Sequence, residues 1–171
     1  MNLPPRLALV GFMGSGKSTV GRVLAERIGY AFVDTDDEVE AEAGTSVAAL
    51  FRDHGEPAFR AREHAVIRRL VKRDRVVIAT GGGAFAQDDS AAELLNGALV
   101  VHLRCDFEEA FRRVSHQGGR PLVEKGEIAA AGLYAGRKDK YSRAHVTVDA
   151  THRSPFELAS DILEAVQQTS V

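Results

Sequence analysis

Eight residues near the start of the chain, Gly11-Phe12-Met13-Gly14-Ser15-Gly16-Lys17-Ser18, fit the pattern G-x-x-x-x-G-K-[ST]. Glycines at these positions let backbone N–H groups close around phosphate oxygens, and a helix beginning at the end of the loop adds its partial positive charge. Gly14, Ser15 and Gly16 form the cradle, and Lys17 aims an ammonium at β- and γ-phosphates. Ser18 offers a hydroxyl to Mg²⁺, and Thr19 supports the loop. This chemistry is that of a nucleoside triphosphate site. It does not say what the triphosphate does, because switches, motors and kinases all use such a loop.

Three further groups of residues carry chemistry. Asp34-Thr35-Asp36 places two carboxylates at the end of a short apolar run, Ala31–Val33, and strand alternation puts both on one side. Alone, such a pair is an N-cap or a solvated turn. Beside a phosphate loop, one carboxylate can hold Mg²⁺ through water while the other orients an acceptor hydroxyl. Phe59-Arg60-Ala61-Arg62-Glu63 falls in a helical stretch, where a bare Arg60 reads as an ion-pair partner of a nearby glutamate. Gly81-Gly82-Gly83 follows the run Val76–Ala79, and three successive glycines are costly to order, which predicts close approach of the backbone to a ligand.

Elements must hold these groups together. Short apolar runs at Leu7–Val10, Ala31–Val33, Val76–Ala79, Ala98–Leu103 and His145–Val148 alternate with segments of helical spacing. After the first run, Val20, Val23, Leu24 and Ile28 recur three or four apart and Gly29 follows as a C-cap. The alternation predicts an α/β domain of three layers, α/β/α, around a five-stranded parallel sheet with right-handed crossovers. Ligands of such sheets bind beyond the carboxyl ends of the strands. Two excursions interrupt the rhythm: a helical one at about 34–73 and a polar, glycine-bearing one at about 115–125.

The 171 residues fit one domain. A net charge of −2 supplies no global basic field for nucleic acid or an anionic membrane, so any anion site must be local. Arginines outnumber lysines 17 to five, and arginine is the residue suited to two-pronged capture of carboxylate or phosphate. No apolar stretch approaches the roughly 18 residues of a membrane span. The lone Cys105 reads as a small core residue ending a strand, and one cysteine suits a reducing cytoplasm. The six histidines show no metal-ligand spacing, so no structural metal is expected.

Taken together and in this order, GFMGSGKSTVGR, FVDTD, GEPAFRAREH, VIATGGGA and GGRPL resemble the shikimate kinase family over most of the chain. The resemblance implies a nucleoside-monophosphate-kinase-like P-loop fold with an acceptor-binding excursion and a lid. It implies transfer of the ATP γ-phosphoryl group to the 3-hydroxyl of shikimate, with Mg²⁺, in aromatic amino-acid biosynthesis; small size leads us to expect a monomer, and the single cysteine with no long apolar stretch a cytoplasmic one. Carried over by motif, Asp36 contacts the acceptor hydroxyls, Arg60 and Arg137 its carboxylate, and the backbone of Gly81, Gly82 and Gly83 lies beside them. Asp34 goes near Mg²⁺ with Ser18. Arg120, in Gly118-Gly119-Arg120-Pro121-Leu122, becomes the lid arginine that stabilises charge on the transferring phosphate. Arg113 and the Arg153-Ser154-Pro155 turn resemble the adenine-side contacts. Gly136 and Asp139-Lys140 depart from the usual family pattern around Arg137.

Two other readings compete. A kinase of another small hydroxy acid such as gluconate, or a nucleotide kinase, would share the fold. A GTPase-like switch would need N-K-x-D and D-x-x-G, and neither string occurs.

Overall fold

The computed structural model describes residues 3–115 and 125–169. Five parallel strands, β1 (Arg6–Val10), β2 (Ala31–Asp34), β3 (Val76–Ala79), β4 (Leu99–Arg104) and β5 (Val146–Asp149), form one sheet in the order β2-β3-β1-β4-β5. Helices α1 (Lys17–Ile28), α2 (Thr35–Ala43), α3 (Val47–Leu70), α4 (Asp88–Gly97), α5 (Phe107–Ser115), α6 (Glu127–Tyr141) and α7 (Pro155–Thr169) connect and cover it. The near-continuous apolar strands fit a sheet covered on both faces: Leu7, Leu9, Val77, Ile78, Val100, Val101 and Leu103 are fully buried. The expected strands are all present, with β2, β4 and β5 each reaching one residue further. Gly29 caps α1 in the left-handed conformation, and Cys105 is buried just past β4.

β1 lies at the centre, flanked by β3 and β4, so the chain leaves Val10 at the point where the strand order reverses. That crevice is where open α/β sheets bind ligands. The exits of β2 and β3 lie on one side of it and those of β4 and β5 on the other.

One expectation from the sequence fails here. Strand alternation does not carry Asp34 and Asp36 to a common side, because the strand stops at Asp34 and α2 starts at Thr35. Asp34 is the N-cap, its carboxylate accepting from the Asp36 N–H at 3.0 Å. The capping bond is local and is satisfied as soon as the chain turns, so it overrides the two-residue period.

The first excursion is helical, as expected. Within α3, Gly55 (φ 79°, ψ 171°) breaks the helix, a conformation that favours glycine, and Pro57 sits in the first turn of the second segment. The break re-aims that segment, which carries Arg60 and Glu63. Arg69 clasps Glu38 at 2.6 Å and also Glu42, tying α3 to α2. The second excursion, with its lid residues Gly118 to Leu122 and Arg120 among them, lies outside the described residues. No helix among the described residues is long and apolar enough to cross a membrane.

Candidate active site

The phosphate loop follows β1, and its glycines at Gly11, Gly14 and Gly16 all have positive φ. Gly14 has a second constraint, since a Cβ there would run into the backbone of Ala110 in α5. α1 starts immediately, at Lys17, with no side-chain cap and no acidic residue in its first turn. Its first N–H groups are thus left for a ligand, and an unscreened helix dipole favours an anion. Lys17 is buried, with its ammonium donating to the Phe12 carbonyl at 2.9 Å. This curls the lysine over its own loop.

Ser18 and Asp34 meet at the mouth of the loop, the Ser18 hydroxyl donating to Asp34 Oδ2 at 2.5 Å. A hydroxyl and a carboxylate side by side are hard oxygen donors of the kind Mg²⁺ takes, and Ser18 is exposed and Asp34 half-buried, so the pair fits that ion. Among the described residues no three His, Cys, Asp or Glu side chains cluster as a metal site.

The residues expected to bind the acceptor converge on the triglycine turn. The Gly81 N–H donates to the buried Thr35 hydroxyl at 2.9 Å, and Thr80 bonds the Leu9 carbonyl through both its N–H and its hydroxyl at 3.1 Å, which pins the turn between the start of α2 and β1. None of Gly81, Gly82 and Gly83 has a positive φ, so the turn does not need glycine for its dihedrals. It needs glycine for space. A Cβ at Gly81 would lie 2.5 Å from Glu63 Oε1 and 2.8 Å from Asp36 Oδ1, and one at Gly82 would lie 3.1 Å from the Met13 nitrogen. At Gly83 it would overlap Arg60 Nη2 and sit 2.9 Å from Arg137 Nη2. The close approach expected of these glycines is thus made first by four side chains: Asp36, Arg60, Glu63 and Arg137.

Two guanidinium groups therefore stand together beside Gly83. Arg60, 16% exposed, pairs with Glu63 at 2.6 Å and with Glu56 at 3.3 Å, the glutamate pairing that its helical setting suggests. Arg137 donates to the Gly82 carbonyl at 3.1 Å, and burial and the Arg60 charge both pull its pKa down. Like charges in a partly buried site are relieved by an anion between them. Glu63 is fully buried, and burial pushes its carboxyl up to about 7 despite the attraction of Arg60. Its Oε1 has no hydrogen-bond partner among the described residues.

On the other side of the crevice, Arg113 of α5 bonds Glu109 at 2.9 Å and reaches the Gly14 and Ala150 carbonyls at 3.3 Å each. It joins the phosphate loop to the exit of β5. Arg153 and Pro155 stand at the start of α7, with Arg153 paired to Asp161 at 2.8 Å and Glu157 at 3.7 Å. Sequence reasoning assigned no role to Thr35, Glu63 or Tyr141. Thr35 and Glu63 stand inside the quoted motifs FVDTD and GEPAFRAREH, yet nothing in the sequence marks that threonine as the acceptor for a glycine 46 residues away, and Tyr141 lies outside the quoted motifs.

A glycine loop of the triphosphate-binding pattern at the switch point of a β2-β3-β1-β4-β5 sheet, with side chains of α2, α3 and α6 gathered on the triglycine turn beside it, defines a P-loop kinase of the α/β class. The family model described as shikimate kinase matches residues 13–167. A shikimate kinase of Persephonella marina is 36% identical over 159 residues, 93% of this chain and 97% of that protein. One of Pseudomonas entomophila is 41% identical over 165 residues, 95% of this chain and 96% of that protein. The solved shikimate kinase of Acinetobacter baumannii in complex with shikimate superposes with a TM-score of 0.93 at 36% identity, covering 98% of this chain and 95% of that one. The chain belongs to the shikimate kinase family.

Proposed function

We propose that the protein transfers the γ-phosphoryl group of ATP to the 3-hydroxyl of shikimate, yielding shikimate 3-phosphate and ADP on the route to chorismate. The observation that carries the choice of acceptor is the pair Arg60 and Arg137 beside Gly83, with Asp36 against the neighbouring Gly81. An acceptor with a carboxylate at one end and hydroxyls at the other matches two guanidinium groups facing an acid.

In this reading Gly14 to Thr19 hold the triphosphate, and Lys17 exchanges its Phe12 carbonyl for β- and γ-phosphate oxygens. Ser18 and Asp34 hold Mg²⁺, which when bound neutralises charge shared between those phosphates. Asp36 orients the attacking hydroxyl, whose oxygen bonds to γ-phosphorus as the bond to the β,γ-bridging oxygen breaks, and Asp36 holds the departing proton. Arg113, with Arg153 and Pro155, lies on the adenine side. Arg120 enters on the family pattern alone, as the arginine of a lid that closes over the transferring phosphate and excludes water. The reading extends to a monomer working in the cytoplasm, where a single free cysteine meets a reducing milieu.

A coupled ADP-release assay tests the acceptor. ADP should appear rapidly with shikimate, slowly without acceptor, and no faster with gluconate or a nucleoside monophosphate than without. Faster turnover of gluconate or a nucleotide than of shikimate would move the protein to the competing reading. Sedimentation velocity checks the monomer.

A further inference from the structure

Tyr141 closes α6 one helical turn after Arg137, and both side chains donate to a single acceptor, the Gly82 carbonyl, the phenol at 2.5 Å and the guanidinium at 3.1 Å. These two bonds set where α6 sits on the triglycine turn, and so where the Arg137 guanidinium points. The phenol reaches Gly82 only if its ring plane is held. Tyr141 is 3% exposed, and the ring nearest to it belongs to His102 on β4, stacked at 4.8 Å between centroids and 16° between planes. Phe85, after the triglycine turn, lies parallel at 6.5 Å. His102 is paired in register with Val10, the residue that leads into the phosphate loop, and with Thr147 of β5, so its own position is fixed by the sheet on both sides.

Burial, with the charges of Arg104 and Lys17 nearby, pushes the imidazole down to about 4. It therefore meets Tyr141 at neutral pH as an uncharged aromatic face. Its contribution is that of an aromatic stack, made from a strand paired on both sides.

We propose that His102 is a positioning residue for the acceptor: by stacking on Tyr141 it fixes the Tyr141–Gly82–Arg137 arrangement that presents the carboxylate-binding guanidinium. The proposal rests on the shikimate reading above. It makes a specific demand on the kinetics, because the stack bears on the acceptor half of the site while Lys17 and the phosphate loop keep their own bonds.

The test is a set of variants, His102→Ala, His102→Gln and His102→Phe, with KM for shikimate and for ATP measured separately. His102→Gln retains polarity without a ring and serves if the alanine variant folds poorly, and His102→Phe retains the ring without the nitrogens. Ala and Gln should raise KM for shikimate about 2- to 12-fold, the span of one aromatic stack of roughly 0.5–1.5 kcal/mol at 1.4 kcal/mol per factor of ten. KM for ATP should stay within twofold, and Phe should restore the parent value. In a Tyr141→Phe background, which removes the bond to Gly82, His102→Gln should cost less than it does alone. A merely structural role would lower the active fraction, and with it the apparent kcat, without a selective change in KM for shikimate. Equal changes for the two substrates, failure of Phe to rescue, or strict additivity with Tyr141→Phe would overturn the proposal. Absence of shikimate turnover in the parent would overturn the acceptor reading and this inference with it, whereas a normally active parent with a flat His102 series would overturn this inference alone.

Discussion

Asp36 and the two arginines divide the acceptor between them in the proposed reaction, and each has its own test. Asp36→Asn keeps the shape and removes the charge that orients the hydroxyl. Turnover should fall by roughly 10²–10⁴-fold, the range for a positioned proton acceptor, with little change in ATP affinity. A variant within threefold of the parent would remove the role. Arg60→Lys keeps a charge but not the two-pronged geometry, and should weaken shikimate binding. A shikimate analogue with a neutral carboxamide should bind the parent far more weakly than shikimate, because the guanidinium groups lose their anion, and the Lys variant should discriminate less between the two. Calorimetric titration of both ligands against both proteins closes the cycle, and additive losses would show that Arg60 does not touch the carboxylate.

Glu63 sets a pH dependence of stability with a definite sign. Its carboxyl ionises at about 7 in the folded chain against an ordinary value of 4.5. A carboxyl whose folded pKa is raised contributes most below the unfolded value, and that contribution is lost as pH rises from 4.5 to about 7, then changes no further. Glu63→Gln mimics the protonated form throughout. The melting temperature of the glutamine variant relative to the parent should therefore climb between pH 4.5 and 7.5. A difference that is constant or falls would contradict this burial-driven shift.

The triglycine turn and α6 together set the acceptor side of the site. At Gly83 a methyl group would meet the far ends of Arg60 and Arg137, which are flexible enough to move aside. Gly83→Ala should then fold, yet raise KM for shikimate by displacing both guanidinium groups, as steady-state kinetics would read. Gly136 lies inside α6 with open space where its Cβ would be, so Gly136→Ala should stabilise the protein by about 0.5–1 kcal/mol and leave kinetics alone. Chemical denaturation measures it. The other family departure is accommodated too, since Lys140 pairs with Asp88 of α4 at 2.9 Å, with Arg143 on the same carboxylate at 3.2 Å. The departures thus leave Arg137 in place.

Across the whole molecule, what the sequence reveals follows the range of the interaction involved. The five strands, the phosphate loop and the glycine cap of α1 depend on neighbours a few residues apart, and apolar periodicity and motif spacing expose them. The turn at Asp34 misled strand alternation because a capping bond two residues long competes with a pattern that assumes the strand continues. The convergence on Gly83 was legible only through the family resemblance, since residues 60, 83 and 137 share no local pattern. Thr35 holding Gly81, and His102 lying under Tyr141, arise from strand register and from the packing of α6, which no spacing in the chain encodes.

The most direct measurement is the identity of the product. Purified protein with ATP, Mg²⁺ and shikimate should yield one new phosphate monoester, one per ADP released, and two-dimensional phosphorus–proton correlation should place it on the 3-hydroxyl. ADP formed without a phosphorylated shikimate, or phosphate carried at another hydroxyl, would contradict the account.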